Sequence, residues 1–242
     1  MALAPFVLSG VSLGTVHVGG ILEQESDLRN EVRAEMTDGL PYPTFISIVG
    51  QKPRWTFSTR AIDTALAVAP ASGVKIGGLT GGLVAYWQAV SEGGMRASGS
   101  TATKYAMAKG VLVPTRLSCE AHQDAKLDYE ATLTTDDTTA PIVQTDSVAL
   151  PTLVGGNLRY TIGKVTVGAI ALAGVTGIDI DFGLTVSTLR DGVTARMWDE
   201  YAWIESMTPR ITIRGYGKAW MGAAVIPMLG KAAAHADTLI YL

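Results

Sequence analysis

Cysteine is nearly missing from this chain: the single Cys119 excludes an intramolecular disulfide framework and leaves no thiolate cluster for zinc. A lone thiol of this kind is more often a small core residue than a nucleophile. Charge is sparse too, with Asp, Glu, Lys and Arg making up 17% of residues and a formal net charge of −3. The 19 Lys and Arg are scattered, and without a basic stripe tight binding to nucleic-acid phosphates is not expected. His17, His122 and His235 lie far apart, outside any metal-ligand spacing. No stretch is both apolar and long enough to span a bilayer as a helix: residues 76–91 and 165–178 are uncharged but Gly-rich, and shorter than the roughly 20 residues required. Residues 1–22 carry no charge either, yet they lack a basic leader, contain Pro5 and are interrupted by His17, so a buried strand pair is the expectation rather than a signal peptide. A soluble protein made in the cytoplasm, with no membrane partner, follows.

Catalytic and nucleotide motifs are equally scarce. Walker-type spacing fails at each Gly-Lys pair, and neither GxGxxG nor GxSxG occurs. KIGGLTGG, residues 75–82, lacks the strand-Gly-helix context of a phosphate loop and reads as a tight turn between strands. Asp179 and Asp181 share one strand face and could hold Ca²⁺ or act as an acid/base pair, but period-2 acids opposite an apolar face are usually the solvated side of a strand. Ser, His and Asp are present without a spacing that assembles a triad. No enzyme, metal or cofactor is expected.

What the chain does have is apolar content and period-2 alternation. At 242 residues it can bury a substantial core, and a hydrophobic fraction of 48% exceeds what a small monomer readily hides, so some apolar surface is expected to meet another chain. From residue 178 to 186, Ile178, Ile180, Phe182, Leu184 and Val186 alternate with Asp179, Asp181, Gly183 and Thr185 as one half-buried strand would. Leu127, Tyr129, Ala131 and Leu133 do the same, and Trp55 with Phe57 and Ile211 with Ile213 give shorter copies. Between residues 83 and 90 both alternate sets are apolar, which predicts a strand covered on both faces. Helix signals are few: Thr59 as cap of a short helix through Ile62 and Leu66 ending before Pro70, and an alanine-rich stretch at 231–237. The expectation is a single mostly-β domain over residues 1–242, with one or two short helices and a long unpatterned loop at about 135–156.

Residues 22–37, LEQESDLRNEVRAEMT, alternate without a break. Glu23, Glu25, Asp27, Arg29, Glu31, Arg33 and Glu35 stand on one side of a strand and Leu22, Leu28, Val32, Ala34 and Met36 on the other. A helix with Leu28, Val32 and Met36 as its stripe is the competing reading, which the regular alternation disfavours. A Gly/Ser-rich tip at about 92–104 then precedes a β-branched stretch and predicts a projecting arm, comprising Gly93, Gly94, Met95, Arg96, Ser98, Gly99, Ser100 and Thr103.

YPTFISIVGQKPRWTFSTRAIDTAL (42–66), with its Q-x-P turn, F-S-T segment and short helix, precedes YWQAVSEGGMRASGSTATKYAMAKGVLVPTRLS (86–118). The second stretch sets a Gly-rich tip before K-Y-x-x-A-K-G-x-L-V-P. Together they resemble the major tail proteins of long-tailed bacteriophages, a likeness covering residues 42–118. The resemblance implies a β-sandwich or split-barrel protomer located in the virion tail. Such protomers form homo-oligomeric rings, usually hexameric, that stack into the tube through which DNA is ejected. It implies other tail proteins as partners at the tube ends, passage of DNA without specific binding, and projecting loops that join ring to ring. A lumen that repels phosphate suits such a conduit; Glu23, Glu25, Asp27, Glu31 and Glu35 are the residues we expect to face it, with a solvated outer face as the alternative. Other readings are a baseplate ring or tail-terminator protein, a carbohydrate-binding surface module built on five Trp and eight Tyr, and, last, a hydrolase.

Overall fold

The computed structural model describes residues 6–35, 45–89, 101–137, 139–152, 158–167, 170–190, 197–216 and 240–241. It is mostly β, as the alternation predicts. The chain begins with β1 (Phe6–Leu13), β2 (Val16–Val18), β3 (Ile21–Asp27), β4 (Asn30–Glu35), β5 (Phe45–Gln51) and β6 (Arg54–Thr59). Helix α1 (Ile62–Val68) follows, then β7 (Val74–Lys75), β8 (Leu83–Ala89), β9 (Thr101–Met107), β10 (Gly110–Glu120) and β11 (Lys126–Leu133). Next come β12 (Val143–Ala149), β13 (Val165–Val167), β14 (Ile170–Leu172), β15 (Val175–Asp181) and β16 (Leu184–Leu189). The last strands are β17 (Tyr201–Met207), β18 (Arg210–Gly215) and β19 (Ile240–Tyr241).

Two sheets supply the main core. One runs β12-β9-β8-β1-β2, the other β18-β15-β10-β11-β6-β3 with β7 beside β10, and all their ladders are antiparallel. Strand β11 shows why they face each other: Leu127, Tyr129, Ala131 and Leu133 are buried while Lys126, Asp128, Glu130 and Thr132 turn outward. These inward residues join Val11, Leu13, Leu83 and Met107 of the other sheet in one cluster. Burying each such large side chain favours folding by about 1.5–3 kcal/mol. Trp55, Phe57 and Tyr129 stack in series, with ring centroids 5.0 and 5.2 Å apart, and the Tyr129 hydroxyl donates to the Ala69 carbonyl at 2.8 Å. Burial pushes that phenol's pKa up.

Strand β8 bears out the two-faced burial expected of it in its first half, where Leu83, Val84 and Ala85 are all buried. The helix also forms where expected, but Thr59 does not cap it. Its hydroxyl instead accepts from Ala61 N at 3.0 Å and donates to the Gly19 carbonyl at 2.8 Å, tying the chain down before the helix begins. The alanine-rich stretch at 231–237 lies outside the described residues. KIGGLTGG forms a 3-10 turn and then a bend in which Gly81 and Gly82 take positive φ; a Cβ on Gly82 would stand 2.5 Å from the Met107 carbonyl oxygen.

Three expectations are corrected. The unbroken strand at 22–37 is two strands: the chain turns at Leu28 and Arg29, where Arg29 has φ 42° and its N–H donates to Asp27 Oδ1 at 2.8 Å. The strand at 178–186 is also two. Gly183, at φ 58°, hands the chain from β15 to β16, and a Cβ there would collide with the Thr208 carbonyl oxygen. The loop at 135–156 contains β12, an edge strand pairing with β9. Its side chains are almost all exposed, and Ser147 at φ 57° marks a register shift. A strand wet on both faces shows no alternation to read.

Candidate functional site

The β4–β5 hairpin stands apart from the main sheets, as its strands ladder only with each other. Register puts Val32 opposite Ile48 and Ala34 opposite Ile46, so these four share one face. That face is in solvent: Val32 is 57% exposed, Ile46 65% and Ile48 45%. A two-stranded hairpin is marginal alone, and its base explains why it holds. Lys52 N–H donates to the Leu28 carbonyl at 3.1 Å, and Gln51 N–H to the Met197 carbonyl at 2.7 Å. The Trp198 indole N–H donates to Gln51 Oε1 at 2.9 Å, beside an isolated parallel bridge between the same two residues.

Arg190 completes this joint. Its guanidinium donates to the Val49 carbonyl at 3.0 Å and lies 3.4 Å from the buried Asp199 and 3.7 Å from Glu31. Gly50 leaves room for it, since a Cβ there would collide with the guanidinium. Lys52 sits 3.0 Å from Glu31. The hydrogen bond and charge of Lys52, with Arg190 behind, hold the Glu31 carboxyl below the usual carboxylate range.

A second surface is the polar outer face of the seven-stranded sheet. Glu23, Glu25 and Asp27 lie on its β3 edge, with Arg54, Thr56 and Ser58 of β6 alongside. Partners soften the acidity: Glu23 is 3.2 Å from Lys126, Asp27 is 3.6 Å from Arg29, and Glu130 pairs with Arg54. Further across, Asp179 is clamped by Arg116 at 2.7 Å and Arg214 at 2.6 Å, while Asp181 accepts the Gly183 N–H at 2.9 Å. Bonding to Asp179 raises the Arg116 pKa. Both Asp179 oxygens are engaged, and this geometry supports a cross-strand tie. Cys119 lines an apolar cavity of about 450 Å³ with Leu117, Ile162 and Ile178, and burial, with Asp179 nearby, pushes its thiol up, as suits a packing residue.

The third surface is on the β16–β17 hairpin, where Tyr201 is 58% and Trp203 45% exposed, opposite Leu189 and Ser187. Ser187 donates to Glu205 on the same strand face.

The structure thus separates the five acids expected to act together. Glu23, Glu25 and Asp27 stay on the main sheet, Glu31 is drawn into the Arg190 joint, and Glu35 ends β4 on the hairpin. Of the expected arm, Gly93, Gly94, Met95, Arg96, Ser98, Gly99 and Ser100 lie outside the described residues. Thr103 is no tip residue: it is buried in β9 opposite Trp87, donating to Asp146 Oδ1 at 3.0 Å. The apolar face of β4–β5 was half visible in the sequence, as Val32 and Ala34 on the even side; its other half, Ile46 and Ile48, is recognisable only once the register is known. Among the described residues no group of His, Cys, Asp or Glu is placed to hold a metal ion, and no helix is long and apolar enough to cross a membrane. No protein-family model matches the chain, and a search of curated proteins returns no match.

Proposed function

We propose that the chain is a structural protein of a bacteriophage tail, a β-sandwich protomer that forms rings and stacks them into the tail tube. The observation that carries this reading is the β4–β5 hairpin, a tethered projection with an exposed apolar face, on a chain whose residues 42–118 resemble tail-tube proteins. Such a face is a liability in a monomer and an asset in an assembly. The edge strands β3, β18, β12 and β2 pair across neighbouring subunits in a closed ring, which removes exposed edges. The outer face bearing Glu23, Glu25 and Asp27 lines the lumen, where mixed charge with acids at the edge keeps DNA phosphates from sticking.

Negative-stain electron microscopy over a concentration series tests the assembly, with Val32→Lys/Ile48→Lys as comparison. Hollow tubes from wild type and only rings or monomers from the double variant are expected. Rings that never stack would point instead to a baseplate ring or terminator, and monomers at every concentration would remove self-assembly as the function. Reversing Glu23, Glu25 and Asp27 to Lys should leave tubes intact and slow DNA ejection; unchanged ejection kinetics would sink the lumen assignment. A second reading rests on exposed Tyr201 and Trp203, whose rings could stack on sugars of a host surface. Saturable polysaccharide binding by a monomer, lost in Trp203→Ala, would favour it.

A further inference from the structure

The two main sheets leave a cleft of about 420 Å³ between their facing surfaces, at the side where β3 is the edge strand. Trp55 and Met107, 3% and 2% exposed, form its floor. Trp87 and Tyr105 form a wall, packed edge to face with centroids 6.5 Å apart and planes at 79°. Gln24 and Ser26, less buried, stand at the mouth on the inward face of β3. We infer that this cleft is a binding site for a neutral, flat aromatic ligand of one or two fused rings with one hydrogen-bonding edge. The inference is independent of the assembly proposed above.

Each part of the chemistry narrows the ligand. Indole, phenol and thioether surfaces favour an aromatic ring, which can stack on or edge against them. No charged side chain lines the cleft among the described residues, so an ionic ligand would shed water without gaining a counter-charge. A sugar ring would bring several hydroxyls to a floor that cannot bond them. The mouth, by contrast, is polar and oriented. The Trp55 indole N–H donates to Gln24 Oε1 at 2.8 Å, which fixes the carboxamide and leaves its NH₂ as a donor on a rim that Ser26 also lines. One edge of a ring can bond there while its faces stay dry, and the volume suits one small ligand.

The test is calorimetric titration of the full chain with naphthol, beside the charged naphthoate and the polar methyl glucoside. Saturable binding of naphthol is expected, with naphthoate weaker by about tenfold or more and no heat from the glucoside. Trp87→Ala and Gln24→Ala should each weaken naphthol by about tenfold, with folding checked by circular dichroism. Magnetisation transfer from the naphthol ring to the Met107 methyl should place the ligand on the floor. If Trp87→Ala does not fold, Gln24→Ala and the Met107 contact decide. Absence of saturable naphthol binding, an affinity indifferent to Gln24→Ala together with no contact to Met107, or tighter binding of naphthoate or glucoside would each overturn the assignment.

Discussion

His17 illustrates how one half-buried side chain sets a pH response. Its Nδ1 lies 3.0 Å from the Ser12 hydroxyl, and its Nε2 is buried without a hydrogen-bond partner. Burial lowers its pKa, so near pH 6.5, the ordinary imidazole value, the unfolded chain binds more protons than the folded one. Stability therefore rises with pH through that window: the full contribution is present above about pH 6.5 and is lost as the pH falls towards the depressed folded value. Thermal melts should show a lower Tm at about pH 5.5 than at about pH 7.5, and His17→Gln should flatten the difference. Two other single residues make sharper demands. Tyr129→Phe orphans the buried Ala69 carbonyl and should cost about 1–3 kcal/mol by urea denaturation. Gly183→Ala forces a Cβ into positive φ and against Thr208, with a loss of about 1–3 kcal/mol expected in the same assay.

Among the elements, the β4–β5 hairpin depends on a joint more than on its own ladder. Arg190→Ala should strand the buried Asp199 without its cation, at a cost of about 3 kcal/mol or more, and unfasten Val49. Hydrogen exchange at residues 45–51 should then accelerate while β11 stays protected; uniform protection would contradict the joint. Elements of this kind also explain what the sequence could and could not reveal. Strand β11 was legible because one of its faces is buried and the other wet, the condition that writes period-2 alternation. The same alternation misled at 22–37 and 178–186, where it continues across a turn. At Arg29 the reversal uses a positive φ on a residue whose type gives no warning, whereas at Gly183 the glycine was the available sign. Of the acids in 22–37, Glu23, Glu25 and Asp27 are exposed on β3 while Glu31 is half-buried in the Arg190 joint, a division that follows the turn at Leu28 and Arg29 and that the alternation does not show.

At the scale of the whole molecule, the proposed assembly would be driven by apolar contact through the exposed Val32, Ile46 and Ile48. Sulfate should promote association by strengthening apolar burial, and light scattering at matched ionic strength should show sulfate exceeding chloride in this effect. An equal response to both salts would point to charge screening as the driving term. The tie between Gln51 and Trp198 has a consequence for how such a chain matures. Those residues stand 147 positions apart, and the bond from Arg190 to Val49 spans 141. Contacts this distant in sequence form late, since most of the intervening chain must be ordered before they become favourable. The hairpin is thus expected to be among the last pieces fastened, so that in the tube proposed above its apolar face would reach its final position only after the body is built, and a delay of that kind would guard against premature stacking.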